Sequence, residues 1–308
     1  MRILIVGAGV IGSVYGAKLQ ESGHEVVVLA RGDRLTELQE HGLILEDAER
    51  GQRTVLPVPV VDGVTAEDRY DLVLAPVRRD QLRGIVPVVR KLSDGADVLV
   101  FGNATGLCHE LRASLGERVL FGFPAAGGTR KGSVVRYVLI RQQKTMLGEP
   151  DGRASRRLRS LCDLFAEAGF PTSISRDVAG WLNAHTAFVV PIAYALYRFD
   201  TDAARLAADW PTLRQMVRAT RQAFRALRAA GEADIPGNLK MLYLRMPEGF
   251  AVAYWRRMLA GPRGELWFAA HSRAAPEEMA SLADELLGAV HRSKRPSPDL
   301  DALLRASG

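Results

Sequence analysis

Between an apolar run, Arg2 to Val6, and a helical pattern, Ser13 to Gln20, stands Gly7-Ala8-Gly9-Val10-Ile11-Gly12. Three glycines at this spacing suit the binding of a diphosphate. Gly7 permits a tight strand-to-helix turn, Gly9 lets the backbone approach a pyrophosphate, and Gly12 lets the helix lie close on the sheet. Gly16, one turn on, extends that close contact. The unpaired N–H groups and the dipole at the helix start attract the anion. A second strand, Glu25 to Ala30, completes a βαβ unit. NAD sites usually carry Asp or Glu at its end, to bond the ribose 2′-hydroxyl. Here the chain reads Ala30-Arg31-Gly32-Asp33-Arg34. A guanidinium suits a 2′-phosphate, through paired charge-assisted hydrogen bonds. The expected coenzyme is NADP(H), held by Arg31 first and Arg34 second, with Asp33 keeping NAD as the alternative.

Other chemistries find no support in the sequence. There is no Ser-His-Asp order, no HExxH and no ligand cluster, so no metal is expected. Cys108 and Cys162 are the only cysteines and form no CxxC, which suits reduced thiols in the cytoplasm. Because the sequence runs straight into the first strand, no signal peptide is expected. The net charge of +6 comes from scattered basic residues, mostly Arg, with no dense run. A phosphate-bearing ligand accounts for that charge, so no nucleic-acid partner is expected. The longest apolar stretch, Ala187 to Tyr197, is too short for a bilayer and contains Pro191, so no membrane is expected.

A chain of 308 residues, 47% hydrophobic and 25% charged, has room for two domains of an ordinary soluble enzyme. Leu35–His41 reads as a short helix, and Leu43–Glu46 and Thr54–Val61 as strands. Asp71–Val77 is a buried strand, and Gln81–Leu92 a helix that Pro87 should kink or break. Val98–Phe101, Arg118–Phe123 and Val134–Leu147 supply further strands. The alternation implies an α/β, Rossmann-type doubly wound sheet with some antiparallel additions, over residues 1–175. Arg153–Ala168 is a helix stopped by Gly169. From Asp177 on, the pattern is helical: Pro211–Ala230, Pro247–Leu259, Gly264–Arg273, Glu277–Arg292 and a last helix opened by Ser297-Pro298. Residues 176–308 should therefore form an all-α substrate domain, with the catalytic cleft expected between the domains.

The chain resembles the ketopantoate reductase (2-dehydropantoate 2-reductase) family along essentially its whole length. The resemblance rests on GAGVIGSVYG at the start, LARG after the second strand, DLVLAPVRRDQ, the NATG turn at 103–106 and GEPDG at 148–152. It implies that NADPH reduces the ketone of a branched 2-oxo acid, with a lysine at the start of the helical domain acting on the carbonyl oxygen. It also implies that Gly7, Gly9, Gly12 and Arg31 bind the coenzyme. Arg78 replaces a family lysine after its strand, and Asn103 matches an asparagine at the coenzyme–substrate boundary. The catalytic lysine is missing: Asn183 stands in its place, and no lysine occurs between 145 and 239. This makes the chain a divergent member.

An amide donates a hydrogen bond but delivers no proton. His185, with an ordinary pKa near ~6.5, suits general acid work in its stead. Two residues on a helix lie about 200° apart, so only one of Asn183 and His185 should face the substrate. Glu265 falls where the family's substrate-binding glutamate falls. His271, roughly 240° further round the helix, is a second candidate rather than its partner. Trp181, Tyr194, Trp255 and Trp267 are candidates for an aromatic pocket. The expected function is NADPH-dependent reduction of a small 2-oxo acid or related carbonyl, with a small-molecule substrate and a homodimer as one possible assembly. The alternatives are imine reduction or alcohol oxidation on the same scaffold, and a coenzyme-binding sensor without catalysis.

Overall fold

The structure is a computed structural model that describes residues 1–92, 95–140 and 143–305. It divides into two compact units, Met1–Val178 and Ala179–Gly308.

In the first unit the order is β1 (Arg2–Val6), α1 (Val10–Glu21), β2 (Glu25–Leu29), α2 (Asp33–His41), β3 (Leu43–Asp47), β4 (Arg53–Leu56), β5 (Val60–Val61) and β6 (Leu72–Ala75). Then come α3 (Ile85–Lys91), β7 (Asp97–Phe101), α4 (Cys108–Leu115), β8 (Val119–Phe123), β9 (Ala126–Lys131), β10 (Val134–Leu139), β11 (Thr145–Gly148), α5 (Arg156–Glu167) and β12 (Thr172–Ile174). Eight strands make one sheet in the order β12-β11-β8-β7-β6-β1-β2-β5. All its pairings are parallel except β11 against β8. Strands β1 and β6 are buried almost throughout, as a sheet covered on both faces requires. The chain goes one way from β1 to β2 and the other way to β6, so β1 and β6 flank the switch point where such sheets bind ligands.

A smaller sheet, β4-β3-β10-β9, packs beside it and was only partly legible in the sequence. The expected single strand Thr54–Val61 is two strands in different sheets. Pro57 and Pro59 remove ladder donors between them, so β4 pairs with β3 and β5 with β2. β9, Ala-Gly-Gly-Thr-Arg-Lys, carries no apolar alternation and is defined only by its partner β10. Within the expected run Val134–Leu147, residues 141–142 lie outside the described residues. The expected helix Gln81–Leu92 is a 3₁₀ turn, Arg79–Gly84, followed by α3, which places Pro87 in the first turn of a new helix. Beneath the sheet, Tyr15 of α1 stacks on Phe170 at 3.8 Å and meets Phe101 and Phe165 edge-on. Its buried hydroxyl bonds Thr145 Oγ1 at 2.6 Å and accepts from the Ala125 N–H.

The second unit is helical. It comprises α6 (Val178–Tyr197), α7 (Ala203–Ala208), α8 (Trp210–Ala229), α9 (Gly237–Leu239), α10 (Glu248–Leu259), α11 (Pro262–Gly264), α12 (Ala270–Ala274), α13 (Pro276–Arg292) and α14 (Pro298–Arg305). Residues Lys240–Arg245 and Glu265–Ala269 wind as wide π turns. α8 buries Leu213, Met216, Val217, Thr220, Phe224 and Leu227, one face at helical spacing. Asp209 caps it by accepting from the Thr212 N–H, and Gly231, at φ 72°, ends it. The start of α14 is capped from outside: Gln222 Oε1 accepts from the N–H groups of Asp299 and Leu300. No described helix is long and apolar enough to cross a membrane.

Candidate functional site

Three loops gather at the C-terminal ends of β1, β6 and β7. A Cβ on Gly7, whose φ is +110°, would lie 2.9 Å from Val77 of the β6 loop. One on Gly102 would lie 3.4 Å from the Val77 carbonyl, bringing in the β7 loop. Gly12 is more constrained still, since a Cβ there would sit 2.0 Å from the Gly7 carbonyl. Helix α1 therefore lies directly against the turn. Gly16 is different, because its nearest neighbours, Ile5 and Val26, stand at 3.5 and 3.6 Å. At Gly9 nothing approaches within 4 Å. This open glycine is the N-cap of α1, with no side-chain cap and no acidic residue in the first turn. The amides of Val10, Ile11 and Gly12 thus begin a twelve-residue helix whose positive end no side chain of its own neutralises. That arrangement fits a diphosphate.

The neighbouring arginines divide into two kinds. Arg31 is exposed at the end of β2, and among the described residues nothing pairs with it. Arg34 is only 11% exposed and is bonded to protein on every side described below. Arg78 is exposed just after β6, while Arg79 beside it is buried and donates to the Thr105 carbonyl. Arg79 thereby ties the β6 loop to the β7 loop that carries Asn103, itself 6% exposed. Nothing in the local pattern announces this tie, because a buried Arg next to an exposed one reads the same as two solvated residues.

In the helical unit the two candidates on α6 part company. Asn183 donates its amide to the Glu232 carbonyl at 2.7 Å, which anchors α6 to the segment following α8. His185 lies parallel to the Trp181 ring, one turn earlier, at 5.5 Å between centroids and 8° between planes. Phe188 follows at 6.5 Å. Burial, and then the charge on His271, push the His185 imidazole down to about 3. The expectation of an ordinary histidine titrating near neutrality is thereby corrected: the ring is neutral at physiological pH.

His271, the second histidine candidate, lies within electrostatic reach of His185. Glu265 is half-exposed and pairs with Arg273 at 3.0 Å, and Arg273 also donates to Thr201 Oγ1 at 2.9 Å. The π turn at Glu265–Ala269 separates these residues, so a uniform 100° per residue does not describe their facing. The four aromatic candidates have different neighbours among the described residues. Trp181 meets His185, Trp255 is buried against Phe188 and Phe268, Tyr194 packs on Tyr197, and Trp267 lies under Arg263. Among the described residues no three His, Cys, Asp or Glu side chains are placed to hold a metal.

A mainly parallel sheet with a glycine turn at its switch point is the Rossmann-like fold of dinucleotide-dependent oxidoreductases. Residues 3–152 match the family described as ketopantoate reductase PanE/ApbA. A 2-dehydropantoate 2-reductase from Aquifex aeolicus (strain VF5) is 28% identical over 193 residues, which cover 59% of this chain and 58% of that protein. The chain spans less than two thirds of the length of the curated relatives it matches. Among solved structures, the 2-dehydropantoate 2-reductase of Geobacter metallireducens GS-15 superposes with a TM-score of 0.81 at 21% identity, covering 100% of both chains. D-mandelate dehydrogenase, solved with NADH and anilino(oxo)acetate, superposes with a TM-score of 0.77 at 18% identity, over 100% of this chain and 97% of that one. At these identities the likeness to the solved structures is one of fold.

Proposed function

We propose that the protein is an NADPH-dependent reductase of a small 2-oxo acid or closely related carbonyl compound. The observation that carries this reading is an open, uncapped glycine turn together with a guanidinium, Arg31, that has no partner among the described residues, at the end of the next strand. Relatives named 2-dehydropantoate 2-reductase and a fold neighbour holding anilino(oxo)acetate support an oxo group beside a carboxylate as the substrate's reacting end. Gly9 and the amides of Val10, Ile11 and Gly12 receive the diphosphate, Arg31 the 2′-phosphate, and Arg78 and Asn103 line the coenzyme's path from the neighbouring strand ends.

Held by the Gly9 turn, the Val10–Gly12 amides and Arg31, the coenzyme would supply the hydride that reduces the carbonyl carbon. In this reading His185, neutral because burial holds its pKa near about 3, donates a ring N–H to the carbonyl oxygen as negative charge develops there. Water then provides the proton that completes the hydroxyl group. His185 is the lysine's replacement in the electrostatic role and not in the proton-delivering one. Glu265, steadied by Arg273, is the acceptor proposed for a polar group of the substrate.

The test is NADPH oxidation across a panel of aliphatic and aryl 2-oxo acids, imines and simple ketones. Turnover of a 2-oxo acid is expected, with His185→Ala lowering kcat/KM by about 10²-fold. Turnover of imines alone, or a His185→Ala enzyme as fast as the parent, defeats the reading. One observation favours a second reading, a coenzyme-binding protein without turnover: the residue in the lysine's place, Asn183, has its amide committed to a backbone carbonyl. NADPH binding with an inert panel selects that second reading.

A further inference from the structure

The sequence suggests Arg34 as a second ligand for the 2′-phosphate, but its surroundings point elsewhere. Its Nε donates to the Ala8 carbonyl at 3.1 Å, inside the glycine turn. Nη2 donates to Ser13 Oγ in the first turn of α1 at 3.2 Å. Nη1 donates to Glu37 at 3.0 Å and to the Ser133 carbonyl, in the β9–β10 turn, at 3.5 Å. A guanidinium has five N–H donors, and four bonds to protein acceptors leave little for a ligand. Arg31, three residues earlier, has the opposite character: exposed and unpartnered among the described residues.

We propose that Arg34 is the positioning residue of the coenzyme cradle, holding the glycine turn in its binding conformation while Arg31 alone selects the 2′-phosphate. The peptide between Ala8 and Gly9 is planar and trans, so its carbonyl and N–H point to opposite sides. Holding the Ala8 carbonyl towards Arg34 therefore turns the Gly9 N–H the other way. Gly9 itself is open, with nothing within 4 Å of where its Cβ would stand. Buried Ser13 secures the geometry twice, accepting from Arg34 and directing its own hydroxyl to the Ala8 carbonyl at 3.5 Å. Glu37 balances the charge and is shared with Arg130 of β9, at 3.0 Å from each. The small sheet is thus linked to Arg34 both through Glu37 and through the Ser133 carbonyl.

This inference rests on the proposed coenzyme site, and its test separates the two. Dissociation constants for NADPH and NADH are measured on the full chain by titrating protein fluorescence, alongside steady-state KM and kcat. Arg34→Ala is expected to weaken NADPH and NADH equally, by about tenfold, leaving their ratio at the parent value. The coenzyme KM rises with it, while kcat at saturating coenzyme stays within about twofold. Arg31→Ala is expected to behave differently, losing affinity for NADPH alone. Ser13→Ala, a milder change that removes one anchor, shifts both coenzymes in the same direction by about two- to threefold and serves if Arg34→Ala does not fold. An Arg34→Ala protein whose NADPH-to-NADH ratio collapses makes Arg34 a phosphate ligand and overturns the proposal. Unchanged affinities for both coenzymes in Arg34→Ala and Ser13→Ala overturn it as well. A parent protein that prefers NADH overturns the assignment of the 2′-phosphate to Arg31, with the Arg34→Ala affinities still deciding the positioning role, whereas one that binds neither coenzyme overturns both readings.

Discussion

The two units of this protein build their candidate sites by different physics. In Met1–Val178 the proposed recognition rests on backbone: amides at the start of α1, a carbonyl held by Arg34, and glycines that leave room for both. In Ala179–Gly308 it is carried by side chains whose properties depend on what packs around them, as with His185 between Trp181 and Phe188 and near His271. A backbone site tolerates no added atoms at its close contacts but is indifferent to most neighbouring side chains. A side-chain site is lost with one imidazole, and its chemistry shifts with its burial.

The sharpest way to break this contrast is at the glycine turn. Gly12→Ala drives a methyl into the Gly7 carbonyl and is expected to abolish coenzyme binding and to destabilise the fold by about 2–4 kcal/mol, measured by titration and thermal melting. Gly16→Ala, on the same helix, has ordinary contacts and should be neutral or stabilising by up to about 1 kcal/mol. Equal effects at the two positions would remove the argument from close approach. In the helical unit His185→Ala should lower kcat/KM about 10²-fold and leave coenzyme affinity unchanged, the reverse of the Gly12 result. Arg31→Ala comes next, reducing the preference for NADPH over NADH by about 10- to 30-fold through loss of charge-assisted bonds.

The pH dependence sharpens the comparison further. A general acid of ordinary histidine pKa would give a rate that falls as pH rises past about 6.5. With His185 held near about 3, no falling limb belonging to it is expected between pH 6 and 8. Its folded pKa is lowered, so between about 3 and 6.5 the unfolded chain binds more protons than the folded one. Stability therefore falls as pH drops through that window, and His185→Gln should flatten the acid limb of a denaturation series. The smallest effect is reserved for the surface: Glu265→Gln breaks a half-exposed pair with Arg273 and should cost less than about 1 kcal/mol in stability. Any larger loss of activity then reports on substrate contact.

Much of the coenzyme unit was legible because its signals are local. Gly7, Gly9 and Gly12 lie within six residues, and the strands before and after α1 announce themselves by apolar runs. β9 was invisible for the converse reason, since its partner β10 supplies the pattern that its own residues lack. The break between β4 and β5 was written in Pro57 and Pro59, yet two prolines do not say which sheet each piece joins.

Residue type and spacing by themselves determined the βαβ start and the change to an all-helical pattern near residue 175. Tertiary structure decided what surrounds each candidate. It gave Arg34 to the glycine turn and left Arg31 exposed, tied Asn183 to Glu232, and moved the titration of His185 out of the physiological range. The reason is one of reach: backbone conformation follows from neighbours in the chain, whereas hydrogen-bond partners and desolvation come from residues that only folding brings near.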